Sequence, residues 1–182
     1  MATKIITGVC RMSFEHIWSP KAVQEGQDAK YSATILIPKT DKETLAKING
    51  AIATEQAIGW PNGKLPPGFK KPLKDGDGMQ DKNGVQRKET VGCYVINASS
   101  KTKPGIVNAA REDVLDKNEV YSGCYCRFQL AFQPYNLSSS KGIGCYLNNI
   151  QKVKDGESLA GRERAAEAFD DEWTDSNTDD DV

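Results

Sequence analysis

The chain has 182 residues, enough for one domain with a real core plus appendages. Its 24 basic and 25 acidic residues give a formal charge of −1, but eight of the carboxylates fall after Ala166, where no Lys or Arg occurs. The preceding 166 residues therefore keep 17 acidic against 24 basic residues, a charge of +7, and a basic body joined to an acidic tail points to a nucleic-acid partner. The start, MATKIITGV, has no signal-peptide pattern, and no run approaches the ~18 apolar residues that span a bilayer, so a cytoplasmic location and no membrane partner are expected. Five cysteines without a CxxC pair and a single His16 exclude a disulfide framework and a zinc site. In that compartment the sequons at Asn97 and Asn136 carry no glycan.

In chain order, Lys4–Phe14 reads as a first strand and Lys30–Ile37 (KYSATILI) as a stronger second one, stopped at Pro38. A helix follows, with Thr40 as N-cap, Glu43 completing a capping box, Leu45, Ile48 and Ile52 on one face, and Gly59 at its end. Residues 60–90 read as a long Pro- and Gly-rich loop with one or two short elements. Val91–Asn97 is a third strand, Lys101–Glu112 a basic connection, Glu119–Gln133 a long strand ended by Pro134, and Ile143–Val153 the last strand. Gly156–Phe169 is compatible with a helix, and the remainder is too acidic and polar to bury a core, so it is expected to be disordered. The fold class is mainly β: five strands with one helix after the second. A five-stranded, partly open barrel closes such a sheet economically; a sandwich is the competing arrangement.

Strand alternation separates two faces. Cys124, Cys126, Phe128, Leu130 and Phe132 fall on one, Tyr125, Arg127 and Gln129 on the other. Val91, Cys93 and Val95 likewise oppose Tyr94; Ile143, Cys145 and Leu147 oppose Tyr146; Cys10 and Met12 oppose Arg11. The Cys-containing faces are read as core. The Tyr and Arg faces then form a stacking and phosphate-binding surface for single-stranded nucleic acid, although tyrosine also suits any half-buried strand. Tyr31 shares a face with Ala33, Ile35 and Ile37 and belongs to the core side, with Lys30, Ser32 and Thr34 facing the other way. A second candidate lies in the loops, where Lys64, Lys70, Lys71 and Lys74 interleave with Trp60 and Phe69, and Lys101 and Lys103 flank a later link; lysines kept for solubility give the same pattern.

No catalytic constellation is present: one histidine, no phosphate-binding GxxxxGK[ST] loop and no GxGxxG after a strand. Asp75-Gly76-Asp77-Gly78 fails as a calcium loop, because the sixth position is Gln80 and the twelfth Gln86. No cofactor, metal or small-molecule substrate is expected.

The succession Phe14…Trp18, KYSATILIPK (30–39), KPLKDGD (71–77), INASSKTKPGIV (96–107), VYSGCYCR (120–127) and YLNNIQKVKDGESLAGR (146–162) resembles the tailed-phage single-stranded DNA-binding proteins over about residues 5–170. The resemblance implies an OB fold, no catalytic activity, and a role in phage DNA replication, recombination and repair in the host cytoplasm. It also implies a division into a DNA-binding domain, 1–166, and an acidic tail, 167–182, that contacts phage or host replication and recombination proteins. Candidate DNA contacts are Tyr94, Tyr125, Tyr146, Arg11, Arg127, Trp60, Lys70, Lys71, Lys74, Lys101 and Lys103. Candidate tail contacts are Phe169, Asp170, Asp171, Trp173, Asp179, Asp180 and Asp181. Many tails of this kind end in an aromatic residue; here the last residues are Asp179-Asp180-Asp181-Val182, and Trp173 is the substitute. The alternatives are a structural or interaction protein on a β scaffold with no nucleic-acid role, and a small nuclease or modifying enzyme.

Overall fold

A computed structural model describes residues 2–22 and 24–159. The tail, its seven candidate contacts and the part of the expected helix Gly156–Phe169 beyond Leu159 lie outside the described residues; Gly156–Leu159 is described and is not helical. Eight strands and one helix are described: β1 Thr3–Ile6, β2 Cys10–Lys21, β3 Lys30–Pro38, α1 Lys42–Gly59, β4 Leu73–Asp75, β5 Cys93–Ser100, β6 Gly105–Val107, β7 Tyr125–Asn136 and β8 Lys141–Lys154. The described residues are thus mainly β with one helix. Five strands pair in a ring: β7 with β2, β2 with β3 and β3 with β5, all antiparallel, then β5 with β8 in parallel, and β8 antiparallel with β7. β1, β4 and β6 add to the outside of this ring on β7, β5 and β8.

The long alternation in β7 is borne out: Cys126, Phe128, Leu130 and Phe132, with Cys124 before the strand, are fully buried. Ile143, Cys145 and Leu147 of β8, Cys10 and Met12 of β2, and Ala33, Ile35 and Ile37 of β3 join them in one core. The helix lays Leu45, Ile48 and Ile52 on this core. Glu55, 1% exposed, is not stranded there, because it accepts from Thr3 N at 2.9 Å and Thr3 Oγ1 at 2.6 Å.

Several expectations are corrected. The first strand is two, because the chain leaves the ladder at Thr7–Val9: Gly8 N donates to Thr44 Oγ1 at 2.8 Å, and a Cβ on Gly8 would lie 2.9 Å from Asp41 Oδ2. Close approach to the helix start therefore breaks the run. The N-cap is Asp41, not Thr40; its carboxylate accepts from Thr44 N at 3.1 Å, while Glu43 faces Lys47 at 3.8 Å. Pro134 lies inside β7 instead of ending it. Its partner Ile143 sends its N–H to Lys70 O at 3.0 Å, so the ladder makes no use of a proline N–H. β6 was not expected, since three residues give no periodicity. Finally, β5 is out of phase with its reading. Ile96 and Ala98 face the core and Tyr94 packs on the same side, whereas Val91 is 56% exposed. The misreading arises because the opposite face is covered too: Val95 pairs with Leu36 and both are buried.

Candidate nucleic-acid interface

The outward residues of β3, β5 and β8 form a continuous row. Tyr146 lies beside Ser99 in the parallel pairing, Ser99 opposite Ser32, and Ser32 opposite His16 of β2. One position along, Thr34 donates to Asn97 Oδ1 at 2.7 Å. Over this row lies a groove of ≈670 Å³ with Asn97, Ser99, Gly144 and Tyr146 as floor and Lys30, Lys70, Lys71 and Lys74 as walls; Tyr135 and Leu137 of the β7–β8 hairpin close one side. A second hollow of ≈430 Å³ shares Lys30 and Ser99 and adds Lys21, Ser32 and Lys101. Among the described residues, six lysines therefore line one path, and Asp28 is its single carboxylate.

Local structure explains how these groups are held. The 60–72 loop is clamped to β8, with Lys70 N donating to Lys141 O at 2.9 Å and Lys70 O accepting from Ile143 N at 3.0 Å. The Lys70 carbonyl is close enough to Gly142 to leave no room for a Cβ there. Lys70 and Lys71 are thereby placed against strand residues far away in sequence, and Lys74 is held beside them on β4 by its pairing with Val95 of β5. Tyr146, 37% exposed, lies along its own strand over Gly144, where a Cβ would come within 2.8 Å of the phenol oxygen. The glycine is the seat of the ring.

The structure brings together Lys70, Lys71, Lys74, Lys101 and Tyr146 from the candidates. It places the others elsewhere. Tyr125 lies at the far end of β7, ten residues from Tyr135 or about 30 Å of extended chain. Arg11 Cζ is 5.9 Å and Lys154 Nζ 4.8 Å from its ring centroid. Arg11 donates to Gly123 O at 3.1 Å and Glu157 O at 2.6 Å, so its guanidinium ties residues 155–159 onto the start of β7. Arg127 donates to Thr7 O at 3.2 Å and, with Arg111, lines a separate hollow of ≈230 Å³. Lys103 stands 5.1 Å from the Trp18 ring. Two candidates are not exposed platforms as expected. Tyr94 is half-buried on the core side under Lys39, 5.1 Å from the ring. Trp60 packs edge-to-face on Phe69, centroids 5.0 Å apart, both against the core; the loop aromatics are its anchor.

The titratable groups are consistent with binding chemistry. Burial pushes the Cys10 thiol up to about 12 and raises Cys145 and Cys93 as well, so these thiols stay protonated. Partial burial, with Lys21 nearby, lowers His16 below its ordinary value. Among the described residues, no three His, Cys, Asp or Glu side chains are placed to hold a metal, and no helix is long and apolar enough to cross a membrane.

A family model described as the Enterobacter phage Enc34 ssDNA-binding protein matches residues 3–182. The chain belongs to this family. The single-stranded DNA-binding protein of bacteriophage Enc34 in complex with ssDNA superposes with a TM-score of 0.68 at 27% identity, over 86% of this chain and 89% of that one. A second structure of the single-stranded DNA-binding protein from bacteriophage Enc34 gives 0.64 at 28% identity, over 92% and 90%. Protein p50 of Acyrthosiphon pisum secondary endosymbiont phage 1 is 27% identical over 179 residues, 92% of this chain and 93% of its own. Bacteriophage T7 gp2.5, a single-stranded DNA-binding protein, shares the fold at 0.63 with 10% identity, over 96% and 98%.

In this family member the sequence reading missed Lys21, Lys30, Tyr135 and Leu137. The signal for Lys30 is its alternation with Ser32 and Thr34 on the face away from the core. Tyr135 and Leu137 were hidden by the strand end assigned to Pro134.

Proposed function

We propose that this chain binds single-stranded DNA without sequence specificity, laying the strand in the groove over β3, β5 and β8. The observation that carries the reading is six lysines on one path with a single carboxylate, above a tyrosine seated on glycine. Lysines at this spacing neutralise phosphates, an aromatic face stacks a base of any identity, and Ser, Thr and Asn hydroxyls and amides take the remaining polar contacts. The activity is binding, with no chemical step.

The ring order β2-β3-β5-β8-β7, with its one parallel pair, is what a five-stranded OB barrel requires. We read it as such, with the helix after the second barrel strand. In that frame β3 and β5 are the second and third barrel strands, Leu137 sits in the loop between the fourth and fifth, and Gln27 and Asp28 sit in the loop between the first and second. Those are the elements by which OB folds take oligonucleotides. The setting proposed is phage DNA replication, recombination and repair in the host cytoplasm.

Residues 1–166 act as the binding domain and 167–182 as a tail. Its eight carboxylates, held at high effective concentration, compete weakly with phosphates for the lysines. DNA then releases the tail to replication and recombination proteins through Phe169, Trp173 and the acidic residues around them. Titration with oligo-dT and with duplex at several salt concentrations tests the reading. Tight, salt-dependent binding of the single strand supports it, and absence of binding at low salt overturns it. Deleting 167–182 should tighten binding most at low salt, where screening is weakest.

A further inference from the structure

We infer that Phe14 is a second base-stacking platform, at the opposite end of the row from Tyr146; this rests on the proposed single-strand binding. Phe14 sits in a bulge of β2, between the paired positions Ser13 and His16. The bulge switches which residues face inward: Cys10 and Met12 are buried before it, Ile17 after it. Its effect at Phe14 is to turn a large ring outward, leaving it 53% exposed. The backbone there has φ 44°, a left-handed conformation that a bulky side chain adopts only when its surroundings force it. A glycine would sit at this position without strain. The fold therefore keeps an exposed phenyl at a conformational cost, which a purely structural turn does not need.

Its surroundings are those of a stacking site. Arg87 Cζ lies 4.8 Å from the ring centroid, on a loop held by Arg87 Nε to Gln80 O at 3.4 Å and Arg87 to Glu89 at 3.5 Å. Beside the bulge, Ser13 pairs with Thr34, which is tied to Asn97 on the groove floor, and His16 pairs with Ser32. From β8 through β5 and β3 to β2 there are three strand spacings, about 14 Å, close to the rise of four stacked bases at ~3.4 Å each. The strand thus crosses the sheet from Tyr146 to Phe14, with Arg87 available to a phosphate once a base covers the ring. A latch for the Arg87 loop would explain the contact between the two side chains. It does not explain a ring more than half exposed.

The test is Phe14→Gly, with Phe14→Trp and Tyr146→Ala alongside, in the full chain. Relief of the left-handed strain should leave the melting temperature of Phe14→Gly equal to or above that of the wild type. Its Kd for oligo-dT should rise roughly fivefold to a hundredfold, the range for one lost stacking platform, and Phe14→Trp should bind at least as well as the wild type. Irradiation of a 5-iododeoxyuridine oligonucleotide should cross-link to Phe14 within the tryptic peptide Met12–Lys21. If Phe14→Gly melts early, and the wild type gives no cross-link at Phe14 while Tyr146 does cross-link, Phe14 is only a latch and the inference falls. If it binds like the wild type while Tyr146→Ala is weakened, the inference falls and the groove stands. If the wild type does not bind, the groove reading itself fails.

Discussion

Replacing Lys30, Lys70, Lys71 and Lys74 together by Gln removes the four cations that line the larger groove and leaves Lys21 and Lys101 in the smaller one. Each phosphate neutralised on a single strand contributes about −0.7 to the slope of log K against log salt. Six contacts give the wild type a slope near −4.2, and the quadruple variant should retain about −1.4. Between 50 and 200 mM salt the wild type then loses about 340-fold in affinity and the variant about sevenfold. Backbone anchoring of the loop runs through Lys70 N and O, which the substitution leaves in place, so the fold should survive. Lys42→Gln with Lys47→Gln, on α1 and outside both hollows, is the control and should keep the wild-type slope. Fluorescence titration of oligo-dT at five or more salt concentrations gives both slopes. A variant that binds more weakly at every salt with an unchanged slope would refute the assignment of these lysines to phosphates.

Tyr146→Ala should weaken oligo-dT binding by about 1–3 kcal/mol with little loss in melting temperature, since the ring is exposed; Gly144→Val, which displaces the ring without removing it, should reproduce much of this in the same titration. Tyr125→Ala and Arg11→Met should unfasten residues 155–159 and lower the melting temperature, with oligo-dT affinity near that of the wild type; weakened binding at unchanged stability would route the strand along β7 instead. Acid titration followed by NMR should find Asp75 and Asp77 below the usual carboxylate range. Lys39 is the first cause for Asp75, and the Gly92 N–H, followed by Lys39, for Asp77. Because both values are depressed on folding, their contribution is complete above the unfolded carboxyl value near 3.8 and is lost as the pH falls through the folded values. Lys39→Met should return Asp75 towards 3.8 and remove its share of that acid dependence, while Asp77 stays depressed through the Gly92 N–H.

The core was legible wherever one face of a strand is wet. Cys124 to Leu130 and Ile143 to Leu147 alternate cleanly, and their inward sets are buried as read, with Phe132 beyond them although Ala131 is buried too. Alternation failed at β5, where Val95 and Ile96 are both buried and either phase looks apolar. It failed again at the Phe14 bulge, because a bulge shifts parity without changing composition. The candidate site was legible as residue types but not as a place. Lys70, Lys71 and Lys74 were singled out for being basic near aromatics, yet those aromatics anchor the loop inward while the lysines face a strand tyrosine seventy residues on. Outer faces of different strands looked alike in the sequence, and Tyr125 and Tyr146 were equal candidates. Only closure of the ring puts one beside the lysines and the other beneath residues 155–159.

The same closure has an electrostatic cost. Among the described residues the ion pairs use Lys39, Lys47, Arg87 and Lys152, and none of the six groove lysines is in one. Like charges gathered without partners repel one another, and a polyanion or salt relieves that repulsion. Binding and stability should therefore trade off at these positions. The quadruple Lys→Gln variant should melt above the wild type at low salt, and the gap should close as salt is added. For the wild type, oligo-dT at 100 times its low-salt Kd should add about 2.7 kcal/mol of stability at low salt, or ~5–11 °C for a domain of this size, and at that same concentration the increment should shrink as salt lowers the affinity. Scanning calorimetry with and without oligo-dT, at two salt concentrations, measures both effects. A quadruple variant less stable than the wild type at low salt would mean that these lysines support the fold, and that the groove is not a site held ready for phosphates.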